Sequence, residues 1–143
     1  MAEAKTGDAV QFLDLLLDYF ADGTRWNQGD LDDGRGRRCL VGAIHYLRRV
    51  HQVSSGAVES LLQEALPPCY CHLASFNDRC ANIAELRALI RNARTRAIAM
   101  AQAEHGRAAA MRSERWWMRI GRKHDRPLPG DAHRAAKTER LAA

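Results

Sequence analysis

The sequence predicts an all-α protein, a small bundle of four core helices with a basic C-terminal helical extension. Three observations predict it. Apolar residues recur at three- and four-residue spacing in four separate segments. No run of alternating β-branched residues is long enough for a sheet of any size. In the last third of the chain, arginines step by three and four, the spacing that places side chains on one helical face.

The first helix is expected over about Asp8 to Ala21. Leu13, Leu16, Leu17 and Phe20 form its apolar stripe, Asp8 suits an N-cap and Gly23 a stop. The second begins near Cys39, with Leu40, Ile44 and Leu47 inward and Arg48 and Arg49 toward water. The third spans about Ser55 to Leu66, with Val58, Leu61, Leu62 and Ala65 inside. Pro67-Pro68 ends it, because proline lacks the amide donor and restricts its predecessor. The fourth starts at Asn82, where Glu85 three residues on makes a variant of the capping box. Leu86, Leu89, Ile90, Ala93 and Ala97 then repeat at helical spacing. The segment 67–81 reads as the one long connection, and a short two-stranded ribbon fits around Trp26 or Tyr70.

Charge divides the 143 residues into two parts. Residues 1–100 hold 12 basic and 12 acidic side chains, whereas 101–143 hold 10 basic and 5 acidic, so the extension carries the net charge of +5. We therefore expect a core domain over 1–100 and a basic extension over 101–143, helical at first and disordered after Pro129. Arg112, Arg115, Arg119, Arg122 and Arg126 form its basic stripe, with Trp116, Trp117 and Ile120 largely opposite. Gly106 is a candidate break or kink in the link to the fourth helix. No secretory signal is visible, since Asp14 and Asp18 interrupt the first apolar run, and no segment has the apolar length of a membrane span. The expected compartment is the cytosol. There the four cysteines are expected as thiols, metal ligands or reactive groups before disulfides.

Several short motifs occur in an order that resembles a known family. They are Trp26-Asn27-Gln28-Gly29, then Gly36 with Cys39-Leu40-Val41-Gly42-Ala43, then Phe76-Asn77-Asp78 before the last core helix. The chain is similar to an uncharacterised family of small helical bacterial and phage proteins. Its members carry a W-x-Q-G loop, a G-x-x-C-x-x-G-A helix start and a W-N-D element. Phe76 stands where that family usually has tryptophan. The resemblance covers roughly residues 8 to 98 and implies a fold and a compartment, but no reaction.

Four sets of residues are candidates for chemistry. Cys39 at a helix start beside Arg37 and Arg38 would feel the helix dipole and two cations, which favour thiolate. The order Gln28, Cys39, His72, Asn77 is that of papain-like hydrolases, with His45 a second possible base. The competing expectation, which we favour, is a buried packing residue with Gly42 allowing close helix approach. The loop "DDGRGRR" can present amides to a phosphate, but it lacks the G-x-x-x-x-G-K-[ST] signature and reads better as a turn with solvated charges. Cys69, Cys71, His72 and Cys80 could supply a Cys₃His zinc site, at a spacing that suits zinc badly; no cofactor is expected. Trp26, Asn77 and Asp78 fit either a ligand site or loop structure.

These observations favour a small binding or accessory protein over an enzyme. Its basic extension would engage nucleic acid or an acidic protein partner through Arg112, Arg115, Trp116, Trp117, Arg119 and Arg122, with self-association a further possibility. The alternative is a cysteine-dependent hydrolase or transferase using Cys39.

Overall fold

The computed structural model describes residues 6–124, with side chains to residue 121. Among the described residues five helices follow one another: α1 (Thr6–Tyr19), α2 (Leu40–His51), α3 (Gly56–Ala65), α4 (Leu73–Arg79) and α5 (Ile83–His124). There is no strand among the described residues. The chain divides into two units, one ending at Ala103 and one starting at Glu104. The all-α bundle expected from periodicity is the fold.

In the first unit, α1 packs on α2 and α3, and α2 packs on α4. The residues at helical spacing in the sequence meet in one core. Leu13, Leu16, Phe20, Leu40, Ile44, Val58 and Leu62 are buried, and Leu86, Leu89, Ile90, Ala93 and Ala97 of α5 join them. Each fully buried Leu, Ile or Phe contributes about 1.5–3 kcal/mol relative to exposure. An exposed ion pair between Arg94 and Asp14 adds a contact between α5 and α1.

Helix ends follow local chemistry, with two departures from expectation. α1 begins at Thr6, so Asp8 sits in its first turn, where it favours the positive helix end, and not at the N-cap. Gly23 adopts φ +80° after the helix, and Ile83 side-chain atoms lie 3.2–3.3 Å from where a Cβ would stand. At the start of α5, Asn82 Oδ1 accepts from the Glu85 amide at 3.1 Å, and Glu85 Oε2 accepts from the Ala81 amide at 2.9 Å. The carboxylate thus reaches one residue further back than in the usual box. At its other end, α5 runs through Gly106 and Gly121 without interruption. A glycine in a helix costs about 1 kcal/mol. The alanines, arginines and methionines around these two favour helix enough to carry it through.

The short helix α4 was not expected; the sequence suggested a loop over 67–81. Leu73, Phe76 and Asn77 are its buried residues, and seven residues give too few turns for a periodic signal. The long loop between α1 and α2 doubles back on itself. Trp26 and Arg38 form a parallel bridge, and Asp32 and Arg38 an antiparallel one. The ribbon allowed around Trp26 is therefore only a pair of isolated bridges. This loop presses on α2 so closely that a Cβ at Gly42 would lie 2.0 Å from the Leu31 carbonyl oxygen.

That approach gives a stability prediction. Gly42→Ala meets backbone and not a flexible side chain, so it should lower the unfolding free energy by about 2 kcal/mol or more. Urea unfolding of the two proteins measures it; equal midpoints would show that the loop does not hold this position.

Candidate functional site

The motifs of the sequence converge on the side chain of Asn77, which is fully buried on α4. A primary amide has two acceptor sites and two donors, and leaving them unmet in the interior is costly. All four are met here. Oδ1 accepts from Trp26 Nε1 at 2.9 Å and from the Leu40 amide at 3.0 Å. Nδ2 donates to the Asn27 carbonyl and to Asp78 Oδ1, both at 3.1 Å. One side chain thus joins α4, the loop and the first turn of α2.

Its neighbours complete the knot. Gln28 Nε2 donates to the carbonyls of Asn77 and Cys80, at 3.0 and 3.1 Å, where α4 ends. Those are carbonyls a helix end leaves without intrahelical partners. Asp78 Oδ1 also accepts from the Gly29 amide at 2.8 Å. Trp26, Asn77 and Asp78 therefore hold the loop in place.

Cys39 is the N-cap of α2. Its backbone is extended and its Sγ accepts from the Gly42 amide at 3.3 Å, the task an N-cap oxygen usually performs. The residue is 5% exposed. No hydrogen bond joins it to His72 or His45 among the described residues, and both histidines are exposed. Asn77 and Gln28 make no hydrogen bond to His72 either, because their amides serve the knot. Arg37 pairs with Asp33, and Arg38 with Asp32.

The other two candidate sets are also spread or engaged. Cys69 and Cys71 are exposed, whereas Cys80 is buried with its thiol 3.5 Å from the Asn77 carbonyl oxygen. Burial pushes the Cys80 thiol pKa up. No group of three His, Cys, Asp or Glu side chains is gathered to hold a metal among the described residues. In "DDGRGRR" three backbone amides are already taken. Gly34 donates to Asp32, and Arg35 and Arg37 donate to Asp33, at 2.8–3.0 Å. The chain's own carboxylates fill that cradle.

A model for DUF6197, a family of unknown function, matches residues 5–96. The chain belongs to that family. No curated protein and no solved structure matches it. The DUF6197 region takes in the knot, the loop and all of α1 to α4, and it ends within α5.

Beyond the DUF6197 region, Arg112, Arg115 and Arg119 are exposed on α5. Trp116 and Trp117 keep 53% and 63% of their surface in water, with ring centroids 4.8 Å apart. Met111 and Met118 are also exposed. Arg122 belongs to the helix, but its side chain lies outside the described part, as do Arg126 and the segment after Pro129.

Two predictions concern the knot and its loop. Asn77→Ala leaves the Trp26 and Leu40 donors and the Asn27 acceptor unmet. Each unmet buried group costs about 1–3 kcal/mol, so a total loss of about 3 kcal/mol or more is expected. Chemical denaturation reads it, and a loss under about 1 kcal/mol would remove Asn77 from its central place. The second concerns Asp33, whose carboxyl is lowered from 3.8 to about 2 by the Arg35 amide first and the Arg37 side chain next. A carboxyl depressed by folding stabilises the fold above its unfolded pKa, and that contribution is lost as pH falls from about 4 to about 2. Carboxyl carbon shifts should place the Asp33 midpoint near 2, and Asp33→Asn should flatten the acid limb of stability. A midpoint near 4 would mean the loop is open in solution.

Proposed function

We propose that this protein is a non-enzymatic binding module whose α5 extension engages nucleic acid. The observation that carries the reading is the pairing, on one helix, of an exposed arginine stripe with two exposed tryptophans. Arginine guanidiniums neutralise phosphates and release condensed counterions. Indole rings stack on unpaired bases, at about 1–3 kcal/mol per base. Neither group is absorbed by the hydrogen bonds and ion pairs that build the first unit. The charge excess supports the same reading, since the residues through 100 are balanced and the extension is not. An acidic protein surface would answer the arginines as well, but it gives the paired indoles no flat partner of their own size. Within the DUF6197 region, Cys39, Asn77 and Gln28 are engaged in holding structure, which favours binding over cysteine chemistry.

The test compares two variants of the full chain, Arg112→Ala with Arg115→Ala and Arg119→Ala, and Trp116→Ala with Trp117→Ala. Single-stranded DNA and RNA binding is followed over a salt series. Wild-type affinity should fall steeply with salt, and the arginine variant should flatten the slope by about 2, roughly 0.7 for each phosphate of a single strand that is no longer neutralised. The tryptophan variant should weaken binding to single strands more than to duplex. Absence of binding at low salt would overturn the reading. Loss of self-association or of binding to an acidic protein in the tryptophan variant, with nucleic-acid binding untouched, would replace it with a protein-docking role.

A further inference from the structure

A cavity of about 320 Å³ opens beside the loop in the first unit, away from the knot's amide cluster. Four arginines, Arg25, Arg35, Arg37 and Arg38, line it together with Tyr19 and Tyr46, and no acidic residue does. Gathering four like charges at one opening opposes folding unless something holds them. The loop holds two. Arg38 donates to the Tyr19 hydroxyl at 3.1 Å, pairs with Asp32 at 2.7 Å and lies 4.1 Å from the Tyr46 ring centroid. Tyr19 in turn donates to the Gly36 carbonyl at 3.0 Å, which fixes the phenol as acceptor for Arg38. Arg37 is held through Nε by Asp33 Oδ2 at 2.6 Å, and its two terminal nitrogens are left for another acceptor. Arg25 and Arg35 make no ion pair within 4 Å among the described residues, although Arg25 rests over the Tyr19 ring at 5.6 Å.

We propose that this cavity binds the phosphate group of a small phosphorylated molecule. The wall offers planar, charged, multidentate donors of one sign, the donor type that matches phosphate oxygens. Asp32 and Asp33 pair with two of these arginines and orient them, so part of the ordering cost of binding is met before a ligand arrives. A dianion with three terminal oxygens can use more of these donors than a carboxylate can. The cavity is small, at the lower end of ligand-site volumes, so it suits the phosphate and little beyond the atoms next to it. The Gly34, Arg35 and Arg37 amides of "DDGRGRR" take no part, because Asp32 and Asp33 occupy them; the arginines of the same motif line the site. This site is independent of the α5 extension and of any nucleic acid bound there.

The experiment uses the full chain with inorganic phosphate and adenosine monophosphate as probes, following the ring signals of Tyr46 and the guanidinium signals of Arg38 by NMR. Saturable shifts are expected with both. Affinity should strengthen as pH rises from 5 to 7 and phosphate takes its second charge. Arg25→Ala combined with Arg35→Ala should weaken binding about tenfold or more, since each charged hydrogen bond removed is worth up to such a factor. Both residues are exposed and carry no ion pair of the fold, so this variant should keep its helicity. The extension variant Arg112→Ala with Arg115→Ala and Arg119→Ala should bind phosphate like the wild type. Tighter binding of the nucleotide than of phosphate would identify a nucleotide ligand; equal affinities would identify the phosphate group itself as what is recognised. Shifts that never saturate, that persist unchanged in the Arg25 and Arg35 variant, or that vanish in the extension variant would overturn the proposal.

Discussion

The amide of Asn77 is the constraint on which the first unit depends. It is buried, and a buried primary amide is tolerated only when each lone pair and each hydrogen finds a partner. The four partners come from three separate segments, so the requirement fixes those segments relative to one another. The start of α2 shows the consequence. Its first amides lack intrahelical acceptors. Cys39 Sγ serves Gly42, and Asn77 Oδ1 serves Leu40 from another helix. The helix start, the loop and α4 are therefore tied together through one side chain.

Much of the core was legible because periodicity reports burial directly. Leu86, Leu89, Ile90, Ala93 and Ala97 are buried where their spacing puts them, as are Leu40, Ile44 and Leu47. What escaped is structure held by distant partners. Helix α4 has too few residues to show a period, and its stability comes from Leu73 and Phe76 in the core and from the hydrogen bonds of Asn77. Gly106 suggested a break because a glycine is read locally, whereas a helix end also needs capping groups and a loss of helix formers nearby. The motif residues were visible as motifs, but their task was not. Asn77 and Gln28 fit a catalytic order in the sequence just as well as they fit a knot, and only the acceptors they reach decide between the two. Tyr19 and Tyr46 gave no signal at all. Each sits in an ordinary amphipathic helix, and their importance appears only once the loop brings Arg38 between them.

The loop also explains how acids and bases at adjacent positions acquire different work. Asp32 and Asp33 each accept from backbone amides with one oxygen and pair with a guanidinium through the other. Glycines at 34 and 36, with φ of +75° and +86°, turn the intervening amides toward those oxygens. In the Asp33–Arg37 pair the acid is the more buried partner, whereas in the Asp32–Arg38 pair it is the arginine.

Two populations of guanidinium follow, and they suit different anions. Arg37 and Arg38 are anchored by carboxylates, a hydroxyl and a ring, so they lose little freedom when a ligand arrives. Such donors discriminate by position and favour a small anion that matches their spacing. Arg112, Arg115 and Arg119 stand on an exposed helix face with water around them. Their attraction is screened within about 10 Å at ordinary salt, and it grows with the number of phosphates within reach rather than with the fit of any one. Under the two proposals, a polyanion would gain most from the extension and a single phosphate most from the cavity. The same residue type would then serve both proposed roles, separated by the hydrogen bonds behind each arginine.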